Sequence, residues 1–136
     1  PALGVKAGKD ASGDITSQRL WITTKRNLQR IGTGAVVGGH YYILTEPGIL
    51  QCIEVATGKI VKQARVGKGG NWGSVTHIGG KLYVTNQGGQ TLVISANTDF
   101  EVLTTNPVNE MTRGSPAFSD GQVFLRTYER LWCWGK

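Results

Sequence analysis

The feature that most constrains this chain is a gapless internal repeat of 41 residues. Gly32, Gly73 and Gly114 are in step, and so are Thr33, Ser74 and Ser115. The pairs Gly38-Gly39, Gly79-Gly80 and Asp120-Gly121 follow at the same spacing. Each pair is followed by an apolar run: Tyr41-Tyr42-Ile43, Leu82-Tyr83-Val84 and Val123-Phe124-Leu125. Further along, Ile53 matches Ile94, Thr57 matches Thr98, and Leu20, Val61 and Val102 align. A period of roughly 40 residues with several short strands per unit marks propeller blades rather than helical solenoids. Gly-Gly and Asp-Gly supply the positive φ that two-residue type I′ hairpins require.

The repeat divides the chain into residues 1–31, the third and fourth strands of an incomplete blade with a link; 32–72 and 73–113, two complete blades; and 114–136, three strands of a last blade. In the first complete unit the strands are expected at 35–37, 40–45, 50–55 and 60–66; in the second at 75–78, 82–86, 91–96 and 100–105. The last unit carries 116–118, 122–127 and 131–134. The expected fold is therefore all-β: four-stranded antiparallel blades in an open arc of about three to four blades, part of a larger propeller. Blades hide their faces on one another. The open ends of such an arc call for further blades of a longer parent or for a second copy. A chain that begins at Pro1 is processed or is a piece of something longer, and a cut from a closed ring is the preferred reading.

Twenty glycines fit a chain rich in turns. No apolar run reaches the roughly 20 residues of a membrane span, and no signal peptide is visible. The net charge of +6 is spread along the chain, with only Lys25-Arg26 adjacent. That pattern favours a solvated basic surface over nucleic-acid binding. Allowing one deletion, Cys52 and Cys133 fall at matching places two units apart. Equivalent positions two blades apart lie beyond the roughly 7 Å that a disulfide tolerates, so two free, buried thiols are expected.

The run Gly48-Ile49-Leu50-Gln51-Cys52-Ile53-Glu54-Val55-Ala56-Thr57-Gly58-Lys59-Ile60-Val61 resembles the repeat of PQQ-like (quinoprotein-like) β-propellers. Its form is a Gly, an apolar strand, an acidic residue, then Ala-x-Thr-Gly-Lys and an apolar-Trp pair. Leu20-Trp21 supplies that pair in the first piece, and Arg130-Leu131-Trp132-Cys133-Trp134 resembles the terminal strand of bacterial members. The resemblance implies a C-terminal segment of a closed ring of eight blades in a bacterial, periplasmic or otherwise extracytoplasmic protein. It also implies that the fourth strand of the last blade comes from the N-terminus of the whole chain. Where the pattern asks for Trp, this sequence has Lys62 and Leu103, and Thr98-Asp99-Phe100 replaces Thr-Gly-Lys. In the family that Trp packs between blades, so other groups must do so here. Family enzymes that bind the quinone use adjacent cysteines, a stacking Trp, and acidic and Asn ligands for calcium. This sequence has no adjacent cysteines and no matching ligand set, so no cofactor is expected.

Catalytic chemistry finds little footing. His40 follows a turn and is expected in solvent. His77 lies in a first strand, where it lines the axis or is hydrogen-bonded in the core. Two histidines without Cys-x-x-Cys or His-Glu-x-x-His spacings give no metal site. Ser115, His77 and Asp120 could be imagined as a triad, but the repeat explains the serine and the turn explains the aspartate. The glycine-rich stretch at Gly67, Gly69 and Gly70 lacks the Gly-Lys-Ser/Thr of a phosphate loop. Asp10 and Asp14 bracket a turn without the carboxylate spacing of a calcium-binding hand.

Loops are the better candidates, because a propeller presents its binding residues on rigidly held connections. The links between blades carry Arg30 and Ile31, Asn71 and Trp72, and Thr112 and Arg113. The turns 46–48, 87–89 and 128–129 share their face. The candidate ligand-face residues are Arg30, Asn71, Trp72, Arg113 and Tyr128; Trp and Arg dominate binding hot spots. Packing of Trp72 between blades is weighed slightly ahead of ligand contact. The expected function is a noncatalytic binding scaffold for a protein, peptide or carbohydrate. Two alternatives remain: a segment of a quinone-dependent dehydrogenase whose active site lies elsewhere, and the sensor region of a serine/threonine-kinase-related protein.

Overall fold

The computed structural model describes residues 3–9, 12–23 and 31–135. Among these, thirteen strands and one short 3-10 turn at Thr16–Gln18 make up the regular structure. Strands β1 (Leu3–Val5) and β2 (Arg19–Ile22) form a two-stranded sheet. Strands β3 (Ala35–Val37), β4 (His40–Thr45), β5 (Ile49–Glu54) and β6 (Ile60–Arg65) form a four-stranded sheet in sequence order. The next four, β7 (Thr76–Ile78), β8 (Lys81–Thr85), β9 (Gln90–Ser95) and β10 (Val102–Pro107), repeat it. The last sheet has three: β11 (Ala117–Ser119), β12 (Gln122–Arg126) and β13 (Leu131–Trp134). Every pairing is antiparallel. The chain is thus all-β, in the blade pattern that the 41-residue repeat demands.

The hairpin turns show why the sequence folds this way. Gly38 and Gly39 have φ of 53° and 76°, Gly79 and Gly80 have 56° and 70°, and Asp120 and Gly121 have 49° and 75°. Positive φ at both central residues is the requirement of a type I′ turn, whose twist matches the strands that it joins.

Cross-strand pairs place Tyr42 opposite Cys52 and Leu44 opposite Leu50, so all four point from one face of the second sheet. The third sheet answers with Leu82 opposite Ile94 and Val84 opposite Leu92. These residues, with Val75 and Phe100, form the buried core. The core therefore sits between blades, as expected for units that cannot bury a face alone.

Close to the axis, the blades are tied by hydrogen bonds that repeat at the period of the sequence. The Thr33 amide donates to Ser74 Oγ at 3.0 Å. The Ser74 amide donates to Ser115 Oγ at 2.7 Å, the same bond one unit later. Val75 N donates to Thr33 O at 2.9 Å. Gly73 is required here, because a Cβ on it would stand 2.8 Å from the Gly114 carbonyl oxygen.

At the outer edge, the repeat Trp packs between blades as the family pattern implies. The Trp21 indole donates to Val55 O at 2.7 Å. Its ring lies against Gly58, which has φ of 73° and whose added Cβ would come within 2.5 Å of the ring. One blade on, Lys62 replaces it: its ammonium is 4.8 Å from the Phe100 ring centroid and 3.4 Å from the Phe100 carbonyl oxygen. Leu103, third in the series, is exposed.

Three expectations need correction. Cys52 and Cys133 are both free, but only Cys52 is buried; Cys133 is exposed. Cys133 pairs with Phe124 on the face that corresponds to Tyr42 and Cys52, and no further sheet covers that face among the described residues. His77 is exposed, so a core hydrogen-bonding role does not hold. His40 is half-buried rather than in open solvent, and its Nδ1–H donates to the Gly38 carbonyl at 3.0 Å.

Candidate ligand face

The connections at one end of the blades interlock through main-chain bonds. Gln87, in the turn between β8 and β9, donates its amide to Gly70 O at 3.0 Å and accepts from Thr112 N at 3.1 Å. That turn is thereby wedged between the two interblade links. Tyr128, in the turn between β12 and β13, donates its amide to Met111 O at 3.0 Å. Links and turns from successive sheets form one continuous surface.

Buried polar residues hold the links in shape. Asn71 is buried, and its Nδ2 donates to Gly73 O at 3.0 Å. Thr112, its counterpart one unit later, is also buried. The Thr112 hydroxyl donates to Arg126 O at 2.6 Å and accepts from Gly114 N at 2.9 Å. These bonds fix the residue that follows each of them in the chain: Trp72 after Asn71, and Arg113 after Thr112.

The two following side chains meet. Arg113 Cζ stands 4.0 Å from the Trp72 ring centroid and 5.6 Å from that of Tyr128. Trp72 is half-buried, while Arg113 and Tyr128 are exposed. A guanidinium over aromatic faces is an attractive cation–π arrangement. Of the five candidate residues, the structure brings Trp72, Arg113 and Tyr128 together. Asn71 serves beneath them as a structural anchor, and Arg30 lies outside the described residues.

One supporting feature had no counterpart in the sequence reading. Glu110 forms an ion pair with Arg130, and the Thr127 hydroxyl donates to Glu110 Oε2 at 2.6 Å. The Arg130 amide donates to Thr127 Oγ1 at 3.1 Å. This bracket pins the turn that carries Tyr128 to the link that carries Arg113. Glu110 lies 17 and 20 residues from its partners Thr127 and Arg130, with no periodic signal to join them.

The other candidates stay apart. Ser115 Oγ is occupied by the Ser74 amide, and Asp120 accepts from the Ser119 hydroxyl at 2.9 Å. No hydrogen bond joins either to His77 among the described residues. Asp14 accepts from the Thr16 hydroxyl at 2.6 Å and the Thr16 amide at 2.9 Å, and these bonds lower its pKa. Asp10 lies outside the described residues. Among the described residues no three His, Cys, Asp or Glu side chains converge as metal ligands, and no helix is long and apolar enough to cross a membrane.

No protein-family model and no curated protein sequence matches the chain. Solved structures do. BamB from Moraxella catarrhalis superposes with a TM-score of 0.68 at 13% identity, over 89% of this chain and 38% of that one. A europium-containing methanol dehydrogenase gives 0.62 at 19% identity, over 84% of this chain and 24% of that one. The quinohemoprotein alcohol dehydrogenase from Comamonas testosteroni gives 0.55 at 18% identity, over 73% and 18%. The chain thus spans well under half the length of each of these structures. Identities this low speak to architecture alone, and the architecture is that of a run of β-propeller blades.

Proposed function

We propose that this chain is a noncatalytic binding segment of a β-propeller in a bacterial exported or envelope protein, recognising a protein, peptide or carbohydrate through the face that carries Trp72, Arg113 and Tyr128. The observation that carries the reading is the stack of Arg113 on Trp72, 4.0 Å apart and built from two successive links. A purely structural packing role would bury the stack, whereas Trp72 is only half-buried and Arg113 and Tyr128 stand in solvent. Rigid placement of exposed aromatic and arginine side chains suits a recognition surface, because little side-chain entropy is lost on binding.

The open sheet faces fit a piece of a larger ring. Leu3, Leu20 and Ile22 are exposed at one end and Leu131 at the other. In the parent protein, neighbouring blades or a second copy cover them. Light scattering checks this: assembly into a defined dimer supports a second copy, and a monomer supports further blades.

The binding role is tested with arrays of short peptides and neutral oligosaccharides, comparing the wild-type chain with Trp72→Ala and Tyr128→Ala. Loss of binding with retained circular dichroism supports the face. Binding unchanged in both variants overturns it. Two of the structural neighbours are dehydrogenases, which favours one alternative, a segment of a quinone-dependent enzyme. A rise in melting temperature with quinone and calcium would support that alternative, because a ligand of the native state stabilises it by mass action.

A further inference from the structure

We infer that Arg113 is the anion-reading group of this face, and that its partner is an acidic peptide that presents a single carboxylate. This deepens the proposed binding role and rests on it. The Arg113 guanidinium carbon lies over the Trp72 ring, 4.0 Å from the centroid, and 5.6 Å from the centroid of Tyr128. Its five N–H donors lie in the guanidinium plane, and the side chain is exposed to solvent. A planar fork of donors matches a carboxylate in bidentate fashion.

Neighbouring arginines show what an engaged side chain looks like in this fold. Arg65 Nη1 donates to Pro47 O at 2.6 Å, and Arg130 is paired with Glu110. Arg113 is exposed, and no oxygen among the described residues accepts from it. Its position is fixed by the stack while its donors are unused. An arginine held in this way loses less entropy when it forms a bidentate pair.

The surroundings decide the kind of anion. Glu110 is paired with Arg130, which leaves Glu129, in the turn that carries Tyr128, as the acid beside the stack, so a second negative charge next to the first would meet repulsion there. One carboxylate on Arg113 fits, with apolar parts of its carrier against Trp72 and Tyr128. Trp, Tyr and Arg together are the composition of protein-contacting hot spots, which selects a peptide over a free anion.

The test uses short synthetic peptides bearing Glu or Asp, the same peptides with Gln or Asn and an amidated C-terminus, and glucuronate oligosaccharides. Acidic peptides are expected to bind, and their neutral counterparts to bind about tenfold more weakly. Arg113→Gln is expected to lose about tenfold as well, with binding that falls as salt rises. Arg113→Lys keeps the charge and the stem, guards against an unfolded variant, and is expected to recover part of the loss. Binding of neutral peptides that depends on Trp72 but not on Arg113 overturns this inference and leaves the binding face standing. Binding confined to the glucuronates also overturns the peptide assignment. Absence of binding to every probe overturns both.

Discussion

The indole N–H of Trp21 reaches across the gap between two sheets to the carbonyl of Val55, 2.7 Å away, and the ring rests on Gly58. One repeat later the same post is held by Lys62, whose ammonium sits over Phe100. One architectural position is thus filled by two different chemistries, and they carry different weights. Trp21→Ala removes a large packed aromatic and is expected to cost about 3 kcal/mol in urea denaturation. Lys62→Ala loses a partly exposed cation–π contact and is expected to cost about 1 kcal/mol or less. Equal costs would show that the two contacts carry the same weight and would overturn this ranking.

Gly58 is the other half of the Trp21 contact. Gly58→Ala combines a left-handed backbone at φ 73° with a Cβ 2.5 Å from the indole. The expected loss is about 2 kcal/mol or more, and fluorescence of the displaced tryptophan reports it alongside the melting curve. Gly38→Ala has the same backbone penalty without the clash, since nothing lies near its Cβ, and is expected to cost less.

The hydroxyl ladder makes a residue-specific prediction. Ser115→Ala removes the acceptor of the Ser74 amide, and Ser74→Ala removes that of Thr33. Each is expected to cost about 1 kcal/mol. Hydrogen exchange should accelerate at the single amide that loses its acceptor, Ser74 in the first case and Thr33 in the second. Uniform acceleration across the sheet would count against the ladder.

Burial pushes the Tyr42 hydroxyl up to about 12 from an ordinary 10.0, with Cys52 beside it as a lesser cause. The folded-state value lies above the unfolded one. The contribution to stability is therefore complete below pH 10 and is lost as pH climbs toward 12. Tyr42→Phe should flatten the alkaline limb of the stability profile. An unchanged limb would assign that loss to other groups.

The two thiols should react differently. An aromatic disulfide reagent is expected to modify Cys133 in the native protein and Cys52 only on unfolding, since burial also pushes the Cys52 thiol up. Simultaneous modification of both would mean that the interblade core opens readily.

Much of the fold was legible because positive-φ turns admit few residues, and Gly-Gly or Asp-Gly at a fixed period betrays them. Strand limits were less so. The fourth strand of the third sheet begins at Val102 rather than at residue 100, because Phe100 is drawn into the core and its amide bonds Asn97 O at 3.2 Å. The exposure of Cys133 could not be read locally, since burial of a sheet face depends on the next sheet. At the candidate face, Trp72, Arg113 and Tyr128 were visible as residue types on aligned connections. The Glu110–Arg130 bracket was not, because a long-range ion pair leaves no pattern in one sequence. Lys62 over Phe100 was hidden for the same reason.

The bonds between Thr33, Ser74 and Ser115 all run one way, each amide taking the oxygen of the unit after it. A unit that carries its own serine brings both the donor for its successor and the acceptor for its predecessor. Copying or excising one 41-residue cassette would leave the joints on either side chemically unchanged. Ring size could therefore drift during evolution without a new adhesive having to be invented.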